Sequence, residues 1–398
     1  MEFHVINLGC KVNRAESDTI AARFLAEGHK PAALEEARVI IVNTCTVTGE
    51  AEKKTRKAIR RALRANPTAR LLVTGCAVVI DPDSYRAIDS RVSIVHKTDL
   101  VAKTPVLRIG ELFPKRVSVK VQDGCDHACT YCIVHVARGK ATSRAFDEVL
   151  AEVRAHEAAG VREIVLSGID LGSYRFNGGG LAALLERLLA ETSQVRFRVS
   201  SVEPCSLTDD TIELIARAQG RICRHLHIPL QSGSSKVLAE MARPYDAGYY
   251  ADLIEKLYRA IPSLSLSTDI IAGFPGETDE EFAETIALAE AARFSKIHAF
   301  PYSKRAGTPA ALRNDQIAAP AKEKRLHCLL ALGARLRKED ACRRIGTTED
   351  ILVEEPGIGT SESYYKVKIP RDIEVGSLCA LSLTATDSSC IMKACKKN

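Results

Sequence analysis

Short apolar runs alternate with amphipathic stretches along the first hundred residues. Runs rich in β-branched residues predict strands at 3–8, 38–43 and 70–74. The helical spacing of apolar residues between them predicts helices at 14–27 and 50–65, the second of which ends before an Asn-Pro pair. Because strands and helices alternate, this segment is expected to form a parallel sheet with helices on its faces.

The same alternation resumes after residue 115 and continues to residue 302. Strands are predicted at 117–122, 163–167, 196–202, 225–230, 266–272 and 296–302, with helices at 146–159, 181–191, 209–218, 247–260 and 279–292. Six strands joined by right-handed helical crossovers fit either an incomplete (βα)6 barrel or an open sheet, and the pattern alone does not separate the two. The length of the segment suits the barrel, in which active sites lie at the carboxyl ends of the strands.

The pattern changes towards the C-terminus. A long amphipathic helix is predicted at 320–344, followed by short β-like runs at 350–354, 364–369 and 378–384 that Gly and Pro turns separate. These runs are typical of a small β-barrel. The chain is therefore expected to be an α/β protein with three domains, at residues 1–105, 112–337 and 338–398.

Composition narrows the class of protein. Of the 398 residues, 46% are hydrophobic and 27% are charged, which is ordinary globular usage and excludes disordered and fibrous chains. No apolar run approaches ~18 residues, and the first ten residues lack the basic start of a secretory signal. We therefore expect a cytoplasmic protein without membrane association, whose 13 cysteines stay reduced and include ligands or catalytic groups.

Each of the three predicted N-terminal strands is followed by a cysteine. These are Cys10, Cys45 and Cys76, called here the N-terminal cysteine trio. The carboxyl ends of parallel strands share one edge of a sheet, so the three thiols can meet, and each lies near a helix start whose dipole favours thiolate. The trio suits a metal with an open coordination position. Three small buried residues at strand ends are the alternative.

A second set of cysteines follows the first strand of the central segment. Cys125, Cys129 and Cys132, called here the central cysteine trio, have the spacing Cys-x3-Cys-x2-Cys. Three thiolates on a tight loop can bind three irons of a 4Fe–4S cluster and leave the fourth iron open. The next cysteine is Cys205, so the open position is expected to be functional. Zinc is the competing hypothesis, although zinc sites favour paired Cys-x2-Cys and four protein ligands.

The central cysteine trio, with Tyr131 before its last cysteine, resembles the signature of the radical S-adenosylmethionine enzymes. The last domain resembles the TRAM domain, a small barrel that binds RNA. Taken together, the resemblance to this group of enzymes covers essentially the whole chain. Further strings resemble the methylthiotransferases of that superfamily: Gly-Cys-Lys-Val-Asn at 9–13, Asn-Thr-Cys-Thr-Val at 43–47, Gly-Cys at 75–76, Ser-Ser-Val-Glu-Pro at 200–204, His-Ile-Pro-Leu-Gln-Ser-Gly-Ser at 227–234 and Asp-Ile-Ile-Ala-Gly-Phe-Pro-Gly-Glu-Thr at 269–278.

This resemblance implies two 4Fe–4S clusters, one held by each cysteine trio, with the central trio also serving catalysis. It implies two molecules of S-adenosylmethionine. One methylates a sulfur attached to the auxiliary, N-terminal cluster. The other yields a radical that removes hydrogen from carbon 2 of an adenine, which then takes the methylthio group. An electron donor such as flavodoxin or ferredoxin is expected, and the chain is expected to act as a monomer.

The strings at 9–13 and 298–305 most resemble the branch that acts on threonylcarbamoyladenosine, the nucleoside next to the anticodon of tRNA. The expected partner is therefore a tRNA anticodon stem-loop. Sister branches act on isopentenyladenosine of tRNA or on an aspartate of a ribosomal protein. A noncatalytic iron–sulfur protein that binds RNA or senses redox state is the alternative from another class.

Residues around the central strand ends are expected, by the same resemblance, to contact S-adenosylmethionine. Loop capping and turn formation are the ordinary alternatives. The residues are Tyr131, Ser167, Gly168, Ser201, Glu203, Gln231 and Gly273.

Phosphate contacts are expected from two regions. Positions 53–80 hold eight basic and no acidic residues, although a solvated helix face is the commoner explanation of such a run. The last domain holds nine basic and ten acidic residues, so it must concentrate its basic side chains on one face to bind RNA. The candidates are Arg60, Arg61, Lys366 and Lys368.

Overall fold

The computed structural model describes residues 1–46, 49–100, 115–218 and 220–396. The domain boundary expected between residues 105 and 112 lies outside the described residues. The N-terminal elements are β1 Glu2–Asn7, α1 Lys11–Ala26, β2 Lys30–Pro31, β3 Val39–Thr44, α2 Gly49–Ala65, β4 Arg70–Gly75, α3 Cys76–Ile80, α4 Pro82–Arg86, β5 Val92–Ile94 and α5 Lys97–Leu100.

The N-terminal strands form one parallel sheet in the order β2-β1-β3-β4-β5. The prediction of a parallel sheet with intervening helices is confirmed. β3 is buried along its whole length, as expected for a central parallel strand with Val-Ile-Ile-Val in sequence. β2 and β5 were not predicted because strands of 2 and 3 residues are too short to show a period.

The central elements follow the predicted alternation of strand and helix. They are β6 Arg116–Lys120, β7 Gln122–Asp123, α6 Val134–Arg138, β8 Thr142–Ser143, α7 Phe146–Ala158, β9 Glu163–Ser167, α8 Leu181–Glu191, β10 Arg196–Val199, α9 Asp209–Arg217, β11 His225–His227, α10 Ser235–Glu240, α11 Ala247–Ala260, β12 Ser265–Ala272, α12 Asp279–Ala291, β13 Lys296–Pro301, α13 Pro309–Leu312 and α14 Ala319–Arg343.

Six of these strands form one continuous parallel series. β6, β9 and β10 pair in one half, and β11, β12 and β13 pair in the other. Isolated parallel bridges between Phe197 and Ile222 and between Ser201 and His227 join the two halves. The spatial order is therefore β6-β9-β10-β11-β12-β13, which is the order of the strands along the chain.

This series is curved like a barrel. The ring of Tyr364 is surrounded by side chains from three of these strands. Its centroid lies 5.2 Å from Arg116 on β6, 4.6 Å from Arg198 on β10 and 4.9 Å from His225 on β11. Side chains from separated strands can meet at one ring only if the sheet bends around it. Among the described strands, β6 and β13 do not pair with each other. The incomplete (βα)6 barrel is therefore the correct choice of the two folds that the pattern allowed.

The N-terminal domain packs directly against this barrel. Helix α1 contacts β6, and Lys11 at its start lies 5.2 Å from the centroid of the Tyr364 ring inside the barrel. Burial lowers the pKa of Lys11 to about 8, with the nearby Arg198 and Arg116 adding to the effect. The first helix of the chain therefore closes part of the barrel interior.

Helix α14 leads from the barrel to the last domain. It has 25 residues and passes through the boundary expected between residues 337 and 338.

Among the described residues, no helix is long and apolar enough to cross a membrane. The remaining elements are β14 Thr348–Glu355, β15 Ile358–Ser361, β16 Lys366–Lys368, β17 Leu378–Thr386 and β18 Met392–Cys395.

These five strands form a closed barrel in the order β14-β15-β16-β18-β17, which confirms the predicted small β-barrel. It docks where the central strands begin. Arg196 and Arg198, the first and third residues of β10, donate to the carbonyls of Asp350 and Glu362 at 2.7 and 2.8 Å. Ser265, the first residue of β12, donates to the carbonyl of Ser363 at 2.9 Å. The eight residues of β12 then place the carboxyl strand ends about 25 Å away.

Candidate active site

The loop that carries the central cysteine trio is held at both ends by main-chain contacts. Gly124 has φ +70°, and a Cβ there would lie 2.0 Å from the carbonyl oxygen of Lys140, so only glycine fits. The next amide, that of Cys125, donates to the carbonyl of Gly139 at 3.1 Å. Further along, the amide of Thr130 donates to the carbonyl of Met241 at 3.1 Å. The loop therefore has a defined shape at the carboxyl end of β6.

The thiols of the central trio share one partly buried environment. Burial, with smaller contributions from the charges of Asp170, Cys129 and Cys132, raises the pKa of Cys125 to about 11. Burial also raises the pKa of Cys132. These thiols would therefore need positive charge or metal to be held as thiolates.

An arginine supplies such a charge at the buried cysteine of the central trio. Arg243 Nη1 donates to Cys129 Sγ at 3.1 Å, and Arg243 Nη2 forms an ion pair with Glu203. The side chains of Arg243 and Glu203 are 5% and 9% exposed, so the pair is screened from water. Arg243 was missed by sequence analysis because it lies 114 residues from Cys129 and no local spacing relates them.

The N-terminal cysteine trio also converges. Cys10 precedes α1, Cys45 follows β3 and Cys76 begins α3. A Cβ on Gly9, beside Cys10, would lie 2.6 Å from the Cβ of Cys45. Burial raises the pKa of Cys76, and Cys10 is close enough to contribute to that rise. Neighbouring strand ends therefore bring the three residues to one edge of the sheet, as the topology predicted.

A second arginine joins the two halves of the site. Arg138 is the last residue of α6, which begins two residues after Cys132, and its Nε donates to Cys76 Sγ at 3.2 Å. Its other nitrogens donate to Asn13 and Asp123 at 2.5 and 2.8 Å. A residue that follows the central trio therefore contacts a member of the N-terminal trio.

Contacts around Cys45 place the N-terminal trio at the carboxyl end of the barrel. The loop after β13 contributes Arg305, which donates to the carbonyl of Thr46 at 2.6 Å. In the same loop, Ser303 accepts a hydrogen bond from the amide of Gly49 at 3.1 Å. Because the central trio lies at the same ends of the strands, both trios occupy one end of the molecule.

The donor set of each trio fits an iron–sulfur cluster, because three thiolates can bind three irons of a 4Fe–4S cluster. In the described ranges, no three His, Cys, Asp or Glu side chains lie close enough together to hold a single metal ion. Each trio also keeps a cationic hydrogen-bond donor beside one sulfur.

The predicted S-adenosylmethionine residues lie at the strand ends, but several have structural partners. Ser167 is buried and donates to the carbonyl of Val119 at 3.3 Å. A Cβ on Gly168 would lie 2.8 Å from Gln122 Oε1, so glycine lets this side chain approach. Gln122 Oε1 accepts hydrogen bonds from the backbone amides of Ile169 and Asp170 at 2.8 and 3.0 Å. Gln122 thus joins the central trio's loop to the end of β9.

Three further residues predicted to contact S-adenosylmethionine differ in the partners that they already have. Glu203 is paired with Arg243, and burial raises the pKa of its carboxyl despite that arginine. Gln231 has φ +65°, a left-handed backbone conformation that is uncommon for a residue other than glycine. The amide of Gly273 donates to Glu277 Oε2 at 2.8 Å, which closes the turn after β12.

Tyr131 packs as a hydrophobic residue. Its ring lies 6.5 Å from that of Phe274, edge to face, beside the apolar group that includes Tyr302. Burial raises the pKa of the Tyr131 hydroxyl well above its usual value. The contact holds the central trio's loop against the turn after β12.

Several buried polar atoms have no hydrogen-bond partner in the described part of the chain, and two of them follow β9 and β10. These two are Oδ1 of Asp170, just after β9, and Oγ of Ser200, just after β10. The other oxygen of Asp170 lies 3.3 Å from Nε2 of His127 in the central trio's loop. Unpaired buried polar atoms are uncommon and favour a polar ligand at this place. Sequence analysis did not single out either residue.

The predicted RNA-binding residues are all exposed. Arg60 and Arg61 lie on the solvent face of α2, opposite its buried residues Ile59 and Leu63. In the described ranges, the exposed basic residues of α2 have no ion-pair partner: Lys53, Lys54, Lys57, Arg60, Arg61 and Arg64.

The basic residues of the last domain occupy a different part of the molecule. Lys366 and Lys368 are exposed on β16, and Lys368 is paired with Asp387 at 3.4 Å. The β-barrel that carries them docks at the amino ends of the central strands, whereas both cysteine trios lie at the carboxyl ends.

Comparisons with known proteins cover both main domains. Residues 119–289 match the Radical SAM superfamily, and residues 2–96 match the Uncharacterized protein family UPF0004. A solved structure of the radical S-adenosylmethionine methyltransferase TsrM from Kitasatospora setae, with cobalamin and a [4Fe-4S] cluster bound, has a TM-score of 0.56. It is 14% identical and is matched over 78% of this chain and 77% of that chain, a likeness of fold.

Relatives that are matched over most of their length are more similar in sequence. Threonylcarbamoyladenosine tRNA methylthiotransferase MtaB of Bacillus subtilis (strain 168) is 38% identical, over 92% of this chain and 89% of that protein. The protein of the same name from Chlamydia pneumoniae is 34% identical over 92% and 91%. A tRNA-2-methylthio-N(6)-dimethylallyladenosine synthase of Carboxydothermus hydrogenoformans is 34% identical over 88% of each chain. The chain therefore belongs to the radical S-adenosylmethionine methylthiotransferases and is an enzyme of that family.

Proposed function

We propose that this enzyme adds a methylthio group to carbon 2 of threonylcarbamoyladenosine in the anticodon stem-loop of tRNA. The observation that carries the proposal is the placement of both cysteine trios at one end of the molecule, joined by the hydrogen bond from Arg138 to Cys76. Transfer of a methylthio group needs a site that holds the sulfur beside a site where the radical begins. The relative at 38% identity, which is named for this nucleoside, supports the choice of substrate.

In this proposal each trio binds one 4Fe–4S cluster through three irons. When bound, the clusters and S-adenosylmethionine supply one-electron chemistry, the sulfur and the methyl group. The chain's own residues hold these groups in place and exclude water. Cys45, Cys76 and Cys129 are buried, and two shielded arginines donate to the sulfurs of Cys76 and Cys129.

The strand ends between the trios would bind S-adenosylmethionine. The unpaired oxygens of Asp170 and Ser200 are buried there and can accept or donate hydrogen bonds to a polar ligand. Glu203 would act together with Arg243 as one ion pair, since its carboxylate is already bound. Gln231, in the segment that follows β11, would contribute its side-chain amide. A low-potential donor such as flavodoxin or ferredoxin would supply the electron.

The exposed basic face of α2 would contact the phosphates of the stem-loop. The helix begins at Gly49, whose amide is bound by Ser303 at the carboxyl end of the barrel. Unpaired arginines and lysines on a helix that begins near the reaction centre suit phosphate contacts that position the RNA without reading its sequence. The β-barrel's Lys366 and Lys368 lie on a domain docked about 25 Å along the strands, so they would contact a more distant part of the RNA.

The proposal is tested by the nucleosides of tRNA from a strain that lacks this enzyme. Mass spectrometry is expected to find no methylthio-threonylcarbamoyladenosine and an increased amount of its precursor. Expression of the wild-type chain should restore the product, whereas Cys76→Ala and Cys129→Ala should each fail to do so. Cys328→Ala is the matched control, because Cys328 is an exposed thiol on α14 and should leave the product intact.

Other outcomes of this experiment identify the competing functions. An unchanged amount of the methylthio-threonylcarbamoyl nucleoside in the deletion strain contradicts the proposal. Loss of the methylthio-isopentenyl nucleoside alone would assign the enzyme to the sister branch. A noncatalytic iron–sulfur protein would release no 5′-deoxyadenosine when it is reduced anaerobically with S-adenosylmethionine.

A further inference from the structure

Each cysteine trio has one buried arginine that donates to one of its sulfurs. Arg138 contacts Cys76 at 3.2 Å, and Arg243 contacts Cys129 at 3.1 Å. Neither arginine belongs to the domain or loop that carries the cysteine it contacts. Arg138 comes from the barrel domain and reaches the N-terminal trio, whereas Arg243 follows α10 and reaches the loop after β6.

The network around Arg138 contains one more cation than anions. Arg138, Lys97 and Lys120 are the cations, and Glu16 and Asp123 are the carboxylates that they contact at 2.7 to 3.1 Å. The side chains of Arg138 and Glu16 are 3% and 2% exposed, so water screens the charges poorly. A cysteine sulfur that carries negative charge would balance the network.

The surroundings of Arg243 are simpler. Its guanidinium is paired with Glu203, is 5% exposed and also contacts the hydroxyl of Tyr245 at 3.2 Å. With Glu203 neutralising its charge, Arg243 still directs one N–H towards Cys129. The two sites therefore share a donor on one sulfur but differ in net charge.

We propose that Arg138 and Arg243 are positioning residues, each of which sets the reduction potential of the cluster in its own trio. This inference rests on the cluster assignment of the proposed function. Hydrogen bonds to ligand sulfurs stabilise the more negative, reduced state of a cluster and so raise its potential. Arg138 additionally makes the N-terminal site dependent on the barrel domain, because that site lacks its donor unless the two domains are packed together.

The test is a redox titration of the full chain after anaerobic reconstitution with iron and sulfide, followed by electron paramagnetic resonance. Arg138→Met is expected to lower the potential of one cluster only. Arg243→Met combined with Glu203→Gln, which avoids leaving an unpaired buried carboxylate, is expected to lower the potential of the other. The conservative variants Arg138→Lys and Arg243→Lys keep the charge and should recover most of each shift. Each signal is assigned by replacing the cysteines of the opposite trio with alanine.

Arg144→Met is the matched control. Arg144 is near the same loop but pairs with Glu152 at 2.6 Å and contacts no cysteine among the described residues, so both potentials should stay unchanged. Loss of about four irons in Arg138→Met, restored in Arg138→Lys, would support the dependence of the N-terminal site on the barrel domain and would refute a role of Arg138 confined to the potential. Unchanged potentials at full iron content, or a shift of the same signal by both arginine variants, would overturn it. A wild-type chain with only about four irons would instead refute the two-cluster function and leave the Arg243 arm to be measured.

Discussion

Replacement of Glu163 by glutamine should loosen the junction between the central barrel and the C-terminal β-barrel. Glu163 is the first residue of β9, and its side chain is 0% exposed. Its carboxylate lies 2.6 Å from Arg196, 2.8 Å from Arg198 and 3.6 Å from Arg116. Burial alone would raise the pKa of Glu163, but the arginines outweigh it and hold the pKa well below its usual range.

The size of the effect follows from what the glutamine leaves behind. Arg196 and Arg198 are 1% and 0% exposed, so Glu163→Gln leaves two buried guanidinium groups without their ion-pair partner. Removing one partner of a buried ion pair lowers the free energy of unfolding by about 3–5 kcal/mol. The same arginines donate to the carbonyls of Asp350 and Glu362, so the loss should include the docking of the β-barrel.

Urea unfolding of the metal-free chain, with hydrogen exchange to locate the loosened residues, measures this loss. The control is Glu186→Gln, because Glu186 pairs with Arg217 at 2.9 Å but both side chains are at least 65% exposed. That exposed pair should contribute below about 1 kcal/mol. If Glu163→Gln costs no more than Glu186→Gln, or if exchange rises elsewhere than at the junction, the reasoning is wrong.

Three further changes test other parts of the structure. Arg60→Glu combined with Arg61→Glu should make the negative slope of log affinity for tRNA against log salt concentration shallower by about 1.4–1.8, because two phosphate contacts are lost. An unchanged slope would exclude these contacts. Gly9→Ala places a Cβ 2.6 Å from a cysteine Cβ of the N-terminal trio and should lower bound iron, whereas Gly28→Ala, also at positive φ but in open space, should not. Burial lowers the pKa of His225 well below 6.5, so below about pH 6.5 the unfolded chain binds a proton that the folded chain does not, and the free energy of unfolding should fall on acidification. Urea unfolding at pH 7.5 and 5.5 measures that fall, and His225→Gln should reduce it.

The spacing of apolar residues along the sequence predicted most of the strands and helices, because the core is built from regular parallel strands and the helices between them. The run from 163 to 167 and the helices at 181–191 and 247–260 agree with the structure at both ends. The curvature that makes a barrel depends on side chains packing across several strands, such as those around Tyr364, and a local pattern carries no trace of it. For the same reason the docking of the β-barrel at the amino ends of the strands was not foreseen.

The two cysteine trios could be predicted because backbone topology alone brings them together. Strand ends of a parallel sheet meet whatever the side chains are, and Cys-x3-Cys-x2-Cys is local. Arg243 and Asp170 could not be predicted in the same way. Their partners, Cys129 and His127, are 114 and 43 residues away, and only the folded barrel places them in contact.

The iron content of the reconstituted chain tests the central claim most directly. Two clusters require about eight irons per chain, and replacing Cys10, Cys45 and Cys76 together by alanine should leave about four, with the spectroscopic signal of the central trio intact. A wild-type chain that saturates at about four irons, or an alanine variant that still binds eight, would contradict the account.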